Sequence, residues 1–196
     1  MKYPVITIGR EHGSGGRIVA EKVAQKLNIP LYDKKLIRMI AQDSGLSENY
    51  IESAETKRTS SFLFNIYFDS NNLPVDNQIF ITQSNIIKQV AEKGPCVIVG
   101  RCGDYVLREM EDCLKVFIYA PLEERIKRVT EVYNEKTNDP KKYLEKYDKQ
   151  RSAYYNRFTE EKWGDPHNYH LMLNSTIGLD AIADYIVSLV LGEDKN

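Results

Sequence analysis

Apolar residues along this chain fall into short continuous runs that alternate with helix-spaced repeats. Short apolar runs bounded by turn residues are typical of strands buried on both faces of a sheet. Five such runs predict strands, at Val5–Ile8, Pro30–Asp33, Cys96–Val99, Leu114–Tyr119 and His170–Leu173. Strands that alternate with helices form parallel sheets covered on both faces. The pattern therefore predicts a three-layer α/β fold around a five-stranded parallel sheet.

Helices are predicted where apolar residues recur three or four positions apart. The first helix follows the first strand, with Val19, Val23 and Leu27 on one face. For Phe62–Phe68, periodicity does not decide between helix and strand. Further helices are predicted at Ile79–Val90, Leu122–Val132 and Leu179–Leu189.

Two polar residues stand where they can cap further helices. Ser47 can cap a helix that has Tyr50 and Ile51 on its buried side. Asp139 stands at a break in the chain and can cap the next helix, which carries an aromatic face.

The composition is that of an ordinary globular protein. The 196 residues, 42% hydrophobic and 28% charged, suit one domain with a sizeable core. A net charge of −1 gives no overall attraction for nucleic acid polymers or membranes. No apolar run approaches the length of about 18 residues that a transmembrane helix needs. The N-terminus is typical of a first strand and not of a signal peptide.

The three cysteines have spacings that fit neither a disulfide framework nor a zinc site. Two of them lie in or beside apolar runs and are predicted to be buried thiols, which favours a reducing cytoplasm. His167 and His170 also lack ligand partners at metal spacing, so no protein-bound metal site is predicted.

Glycines cluster between the first strand and the first helix, where residues 9–17 read GREHGSGGR. Glycine lets backbone N–H groups approach a phosphate, and the positive end of the following helix favours an anion. Arg17 adds a permanent charge with a planar fork of donors. The segment predicts a phosphate-binding loop. The alternative is a tight turn that only packs the helix against the strand.

The loop departs from the usual pattern G-x-x-x-x-G-K-[ST]. With Gly15 as the second glycine, Gly16 takes the lysine position and Arg17 the hydroxyl position. With Gly16 as the second glycine, Arg17 replaces lysine and Ile18 replaces the hydroxyl residue. Neither register begins with glycine, and neither supplies the hydroxyl that binds Mg²⁺.

Four segments, read in order, resemble the cytidylate kinase-like branch of the nucleoside monophosphate kinases. They are the glycine loop with its helix, VIVGRCGDYVL, APLEERIKRV and Asp148–Arg151, and they cover nearly the whole chain. The resemblance implies a P-loop enzyme that transfers the γ-phosphoryl group of ATP, with Mg²⁺, to a nucleoside monophosphate such as CMP or dCMP. It also implies one domain, 1–196, with a helical acceptor-side insertion at about 44–93 and a lid at about 125–157.

The resemblance implies roles for the matching positions. The donor phosphates would be bound by Gly13, Ser14, Gly15, Gly16 and Arg17. The acceptor would be bound by Asp33, Arg38, Arg101, Asp104 and Asp148. Catalytic charge would come from Arg17, Arg125, Arg128 and Arg151.

Several of these residues have a structural alternative. Arg125 and Arg128 share one helix face, but Arg128 can instead pair with Glu124 one turn earlier. Asp33 can cap the helix that follows it. Arg101 follows a buried strand and a glycine at a carboxyl end, where parallel sheets bind ligands, so a functional role is favoured there.

Two other functions remain open. The missing lysine and hydroxyl favour a nucleotide-binding protein without catalysis, and the unusual segment 44–78 favours a kinase with a non-nucleotide acceptor. In each case the partners are a nucleotide or other small molecules. Aromatic residues around Phe62–Phe68 suggest a patch for homodimer formation.

Overall fold

The computed structural model describes residues 1–51 and 75–192. In this part of the chain five parallel strands form one sheet with the order β2-β3-β1-β4-β5. The strands are β1 (Val5–Arg10), β2 (Leu31–Tyr32), β3 (Cys96–Val99), β4 (Cys113–Tyr119) and β5 (Leu171–Asn174). The predicted five-stranded parallel sheet is confirmed, with strand ends shifted by one or two residues.

The helices connect the strands and cover both faces of the sheet. They are α1 (Gly16–Leu27), α2 (Lys34–Ser44), α3 (Val75–Glu92), α4 (Gly103–Val106), α5 (Leu122–Lys127), α6 (Pro140–Thr159) and α7 (Leu179–Leu191). Residues 48–51 are helical, and short 3₁₀ helices lie at Pro166–Asn168 and at Ser175–Ile177.

The core is divided by the sheet into two apolar layers. Val5 packs into the layer formed with α2, α3 and α4, whereas Ile6 and Ile8 pack into the layer formed with α1 and α7. Successive side chains of a strand point to opposite faces, so a strand covered on both faces is apolar throughout. That burial explains why β1 appears in the sequence as a continuous apolar run.

The helix caps predicted at Asp139 and Ser47 are present, whereas one of the predicted buried residues is exposed. Asp139 accepts a hydrogen bond from Lys142 N at 3.0 Å, and Ser47 Oγ accepts one from Tyr50 N at 3.2 Å. Ile51 is fully buried, but the prediction for Tyr50 was wrong, since its exposed fraction is 37%. The predicted aromatic patch at residues 62–68 lies outside the described residues.

The predicted helix at residues 122–132 is divided. After α5 the chain continues as a π-helical turn, Arg128–Val132, in which Tyr133 N donates to Arg128 O over five residues at 2.9 Å. Such turns are rare and insert an extra residue into the helix. All three cysteines are buried, whereas the sequence predicted burial for two of them. None of the described helices combines the length and the apolar character that a membrane span requires.

Candidate functional site

A cavity of about 920 Å³ opens at the carboxyl ends of β1 and β3. The glycine loop forms one wall, the turn that joins β3 to α4 forms another, and side chains of α6 close the third. Parallel α/β folds bind ligands at this edge of the sheet. The cavity therefore lies where the sequence predicted a site.

The glycine loop presents unpaired backbone N–H groups at the start of α1. Gly15 precedes the helix with φ +85°, and Val19 N closes the first turn by donating to Gly15 O at 3.0 Å. The N–H groups of Arg17 and Ile18 have no hydrogen-bond acceptor within the described ranges. The positive end of the helix dipole adds to these donors, so this end of α1 suits an anion.

Two glycines of the loop are required by backbone shape and by close packing. Gly13 has φ +77°, and a Cβ atom there would lie 2.9 Å from Arg125 O. A Cβ atom on Gly15 would lie 2.7 Å from Leu179 Cδ2. Residues with a side chain rarely adopt such φ values, and both positions lack the space. The loop conformation is thus specified at two positions independently.

Three arginines hold the carbonyl groups of the loop. Arg128 Nη1 donates to Gly13 O at 2.7 Å, and Arg125 Nη1 donates to His12 O at 3.3 Å. Arg151 Nη1 donates to Arg10 O at 3.4 Å. We call Arg125, Arg128 and Arg151 the loop arginines. They fix the carbonyl oxygens, which would repel a phosphate, and leave N–H groups toward the cavity.

Two carboxylates neutralise the most buried of these arginines. The Arg125 side chain is 10% exposed and forms ion pairs with Asp148 at 2.5 Å and with Glu11 at 3.5 Å. Asp148 also accepts from His12 N at 2.7 Å, and Glu11 accepts from Ala120 N at 3.2 Å. Burial raises the pKa of Glu11. A buried cation requires such partners because its desolvation is costly.

His12 lies between the loop and α6. Its ring stacks on Tyr147 with a centroid separation of 4.4 Å, and Nδ1 lies 3.3 Å from Arg151 Nη2. Burial, followed by the charge of Arg151, lowers the pKa of His12 to about 4. The ring is therefore neutral at pH 7, and Nδ1 accepts from the arginine. Sequence reasoning assigned no role to Glu11 or His12.

Arg17 joins the first turn of α1 to the end of β2. Its Nε atom lies 3.1 Å from Glu21 and 3.1 Å from Asp33. Asp33 makes no capping hydrogen bond to α2, so the structural alternative for this residue is not realised. Both Arg17 and Asp33 line the cavity.

Arg101 follows β3 in a left-handed conformation, with φ +56°. The buried side chain of Gln83, on α3, donates from Nε2 to Arg101 O at 2.9 Å. Sequence reasoning missed Gln83. The available signal was a polar residue midway between Ile79 and Ile87 on an apolar helix face. Gln83 therefore positions the backbone from which the Arg101 side chain extends.

Asp104 is another buried acid of the cavity, with an exposed fraction of 5%. Tyr155 donates to Asp104 Oδ2 at 2.7 Å. Burial raises the pKa of Asp104, although the hydrogen bond from Tyr155 acts in the opposite direction. The side chain is thus held in one position.

The structure brings eight of the predicted site residues to the cavity wall. They are Gly13, Gly15, Gly16, Arg17, Asp33, Arg101, Asp104 and Arg151. The other five, Ser14, Arg38, Arg125, Arg128 and Asp148, do not belong to the lining of this cavity as the described residues define it.

Physical reasons explain those five positions. Ser14 is fully buried and its hydroxyl donates to Glu11 O at 2.9 Å. The Arg38 side chain is 67% exposed and lies 3.9 Å from Glu48. Arg125, Arg128 and Asp148 lie beneath the loop and bind its backbone or each other. Arg128 contacts Gly13 O, and not Glu124 as the structural alternative had it.

Family comparison agrees with this arrangement. The model of the cytidylate kinase-like family matches residues 5–177. The chain belongs to the cytidylate kinase-like family. This match spans the glycine loop, the cavity and the loop arginines, and membership supports phosphotransfer as the activity. A comparison with curated protein sequences gives no match.

Solved structures share the fold over nearly the whole chain. An uncharacterized protein from Eubacterium ventriosum ATCC 27560 is 31% identical, with a TM-score of 0.71 over 95% of this chain and 97% of that one. Shikimate kinase from Acinetobacter baumannii, in complex with shikimate, is 15% identical with a TM-score of 0.56, covering 99% and 96%. A gluconokinase from Sinorhizobium meliloti 1021 is 12% identical with a TM-score of 0.56, covering 98% and 94%. The fold is that of the P-loop kinases.

Proposed function

We propose that this protein transfers the γ-phosphoryl group of ATP to a nucleoside monophosphate of the CMP or dCMP type. The observation that carries the proposal is one shared cavity: the open N–H groups of the glycine loop and the charged side chains of Asp33 and Arg101 line the same space. A volume of about 920 Å³ is at the upper end for ligand sites, which suits two small molecules.

The donor side of the cavity consists of the glycine loop, residues 11–15, and the first turn of α1. Its N–H groups would bind the ATP phosphates, as helix N-termini bind anions. Arg125, Arg128 and Asp148 act here as positioning residues, since they hold the loop from below. Arg151 both lines the cavity and binds Arg10 O, so it is the loop arginine that can also contact the transferring group.

The acceptor side consists of Asp33, Arg101 and Asp104. Arg101 would bind the acceptor phosphate with its fork of donors, and the two carboxylates would bind hydroxyl or amino groups of the acceptor. In the reaction an acceptor phosphate oxygen forms a bond to the γ-phosphorus. The bond from that phosphorus to the bridging oxygen breaks, and ADP leaves with the electron pair. No proton has to be removed from an ionised phosphate.

Mg²⁺ would enter with ATP. Kinase sites hold this ion mainly through phosphate oxygens and water, with one or two carboxylates. Within residues 1–51 and 75–192 no group of three metal-binding side chains is present, and Asp33 is the carboxylate linked to the first turn of α1 through Arg17. That donor set fits an ion bound chiefly by the nucleotide. The ion would neutralise charge on the phosphates.

A second candidate is a small hydroxyl-bearing acceptor that is not a nucleotide. The position of Arg38 favours it, because this residue, expected to bind the acceptor as Arg101 does, is exposed and lies near Glu48. Because fewer cations are present to bind an acceptor phosphate, the carboxylates Asp33 and Asp104 become more important for binding the acceptor. A hydroxyl acceptor would give up its proton to a carboxylate as its oxygen bonds to phosphorus.

The test is an ADP-release assay with Mg²⁺-ATP and a panel of CMP, dCMP, UMP, AMP, gluconate and shikimate. We expect acceptor-dependent ADP release with a cytidine monophosphate. In an Arg101→Ala variant, the acceptor KM should rise about 10-fold or more while the KM for ATP is retained. Release with only hydroxyl acceptors would favour the second candidate. ATP binding without release for any acceptor would contradict both and favour a non-catalytic nucleotide-binding protein.

A further inference from the structure

Gly16 stands where the P-loop pattern has its lysine, and the space beside it is filled. A Cβ atom built on Gly16 would lie 2.6 Å from Arg10 Cβ and 3.2 Å from Arg10 Cγ. Real side chains do not approach so closely, so a lysine at position 16 and an arginine at position 10 exclude each other. The glycine is needed because of Arg10.

Arg10 is the last residue of β1 and lines the cavity. Its aliphatic part passes over Gly16, and its guanidinium reaches the turn after β3. A Cβ atom on Gly100 would overlap Arg10 Nη1. Gly100 also has φ +68°, a conformation that favours glycine. Gly16 therefore leaves room for the aliphatic part of Arg10, and Gly100, on a different segment, leaves room for its guanidinium.

The path of this side chain leads from the donor side to the acceptor side. It begins at the glycine loop and ends beside Gly100, next to Arg101 of the acceptor side. A γ-phosphoryl group in transfer must lie between these two sides. A guanidinium there can bind two phosphate oxygens at once.

The other basic residue of the motif, Arg17, is held by two carboxylates. Arg17 lies between Asp33 and Glu21, each 3.1 Å from its Nε atom. Its charge is therefore shared with two carboxylates. This pairing orients Arg17 toward Asp33 and Glu21.

We propose that Arg10 takes the place of the P-loop lysine, and that its guanidinium binds the β- and γ-phosphates of the donor during transfer. In the register with Gly15 as second glycine, residues 10–16 read R-x-x-x-x-G-G where the usual pattern reads G-x-x-x-x-G-K. The basic residue and the glycine have exchanged positions. This assignment rests on the proposed phosphotransfer and adds the residue that supplies its central charge.

The exchange can be reversed by mutation. The double variant Arg10→Gly/Gly16→Lys restores the order G-x-x-x-x-G-K, with Arg17 still at the hydroxyl position. It removes the two Arg10 atoms that crowd position 16 and leaves Ile118 Cβ at 3.2 Å. We expect Arg10→Gly alone to lower kcat by about 100-fold or more, as removal of a transition-state arginine does. Gly16→Lys alone should be at least as impaired because of the overlap. The double variant should exceed both single variants by about 10-fold or more.

A binding measurement keeps the test independent of turnover. Calorimetric titration of ATP into Arg10→Gln should show an affinity lowered by about 10- to 100-fold, the usual range for a lost charged hydrogen bond. Arg10→Lys should retain part of it. Arg108→Gln, at an exposed position after the end of α4, is the matched control and should bind as the wild type does. Thermal denaturation confirms that each variant is folded.

The outcomes separate this inference from the proposed function. Wild type that binds ATP but transfers nothing refutes the proposed function, while a weakened Arg10→Gln still supports the phosphate contact. Folded Arg10→Gln with unchanged ATP affinity and kcat overturns the inference and leaves phosphotransfer intact. A folded double variant no more active than Arg10→Gly also counts against the exchange. Absence of ATP binding by the wild type refutes both.

Discussion

The ion pairs beneath the glycine loop and the ion pair between α1 and β2 differ in burial. On the donor side, Arg125 is 10% exposed and Asp148 is 16% exposed, and their contacts fix the loop from below. The ion pair of Arg17 with Asp33, which joins the first turn of α1 to the end of β2, includes a side chain that is 50% exposed. Removing one partner of a buried ion pair lowers stability strongly, whereas removing one partner of an exposed pair lowers it little. The contacts beneath the loop are thus expected to contribute more to stability than the ion pair of Arg17 with Asp33.

The largest expected effect comes from breaking the donor side. Asp148→Ala leaves the Arg125 guanidinium buried without its shorter ion pair, and we expect a loss of about 3–5 kcal/mol in the free energy of unfolding. Urea denaturation measures it. The matched control is Asp184→Ala, whose partner Lys26 lies in an exposed pair at 2.8 Å, so that its expected loss is much smaller. Equal losses would contradict the difference in burial.

The shape of the loop is tested by Gly13→Ala. The φ of +77° and the nearby Arg125 O atom each oppose a side chain, so we expect destabilisation of about 2–4 kcal/mol. Gly45→Ala is the control, because Gly45 has φ +71° with open space around it and should lose about 1 kcal/mol. The difference between the two variants isolates the packing against α5. If both lose the same amount, the packing contributes nothing.

The Gln83→Leu variant tests how Arg101 is positioned on the acceptor side. Without the Nε2 donor, the Arg101 carbonyl loses the hydrogen bond from Gln83, and the backbone that carries the Arg101 side chain is no longer held in place. We expect the acceptor KM to rise about 10-fold, with the KM for ATP unchanged. Gln89→Leu, exposed on the same helix, should leave both values unchanged. An equal rise of both KM values in Gln83→Leu would indicate a general loss of structure.

The smallest effect concerns pH. The pKa of His12 is about 4 in the folded protein and near its ordinary value when unfolded, so below pH 6.5 the unfolded chain binds the proton first. Stability on this account is present above pH 6.5 and is lost as the pH falls toward 4. After allowance for solvent screening, the loss at pH 5 is about 1 kcal/mol.

His12→Phe keeps the stacking surface on Tyr147 and removes the titration. Urea denaturation at pH 7 and pH 5 should therefore show a smaller loss on acidification for this variant than for the wild type. Glu11 titrates in both proteins and cancels in the comparison. Identical losses would show that His12 is not held neutral.

The sheet and the loop could be predicted because local patterns specify them. The apolar run of β1 reflects a strand covered on both faces, and the glycines of residues 13–16 mark a backbone that side chains would block. The loop arginines were predicted as site residues, but sequence spacing indicates only that residues share one face of a helix. It does not indicate whether that face meets a phosphate or the carbonyl groups of residues 12 and 13.

By itself the sequence determined the five parallel strands, the glycine loop after β1 and the position of the site at the strand ends, since each follows from local periodicity and backbone requirements. Only the tertiary structure decided the partners of charged side chains. Asp33 meets Arg17, Asp148 meets Arg125, and Arg10 crosses Gly16 toward Gly100. The contacts of Asp33, Asp148 and Gly100 join residues from 16 to 90 positions apart in the chain. The Arg10 side chain in addition leaves no space for a side chain at Gly16. Such relations depend on how strands and helices pack, which no local pattern encodes.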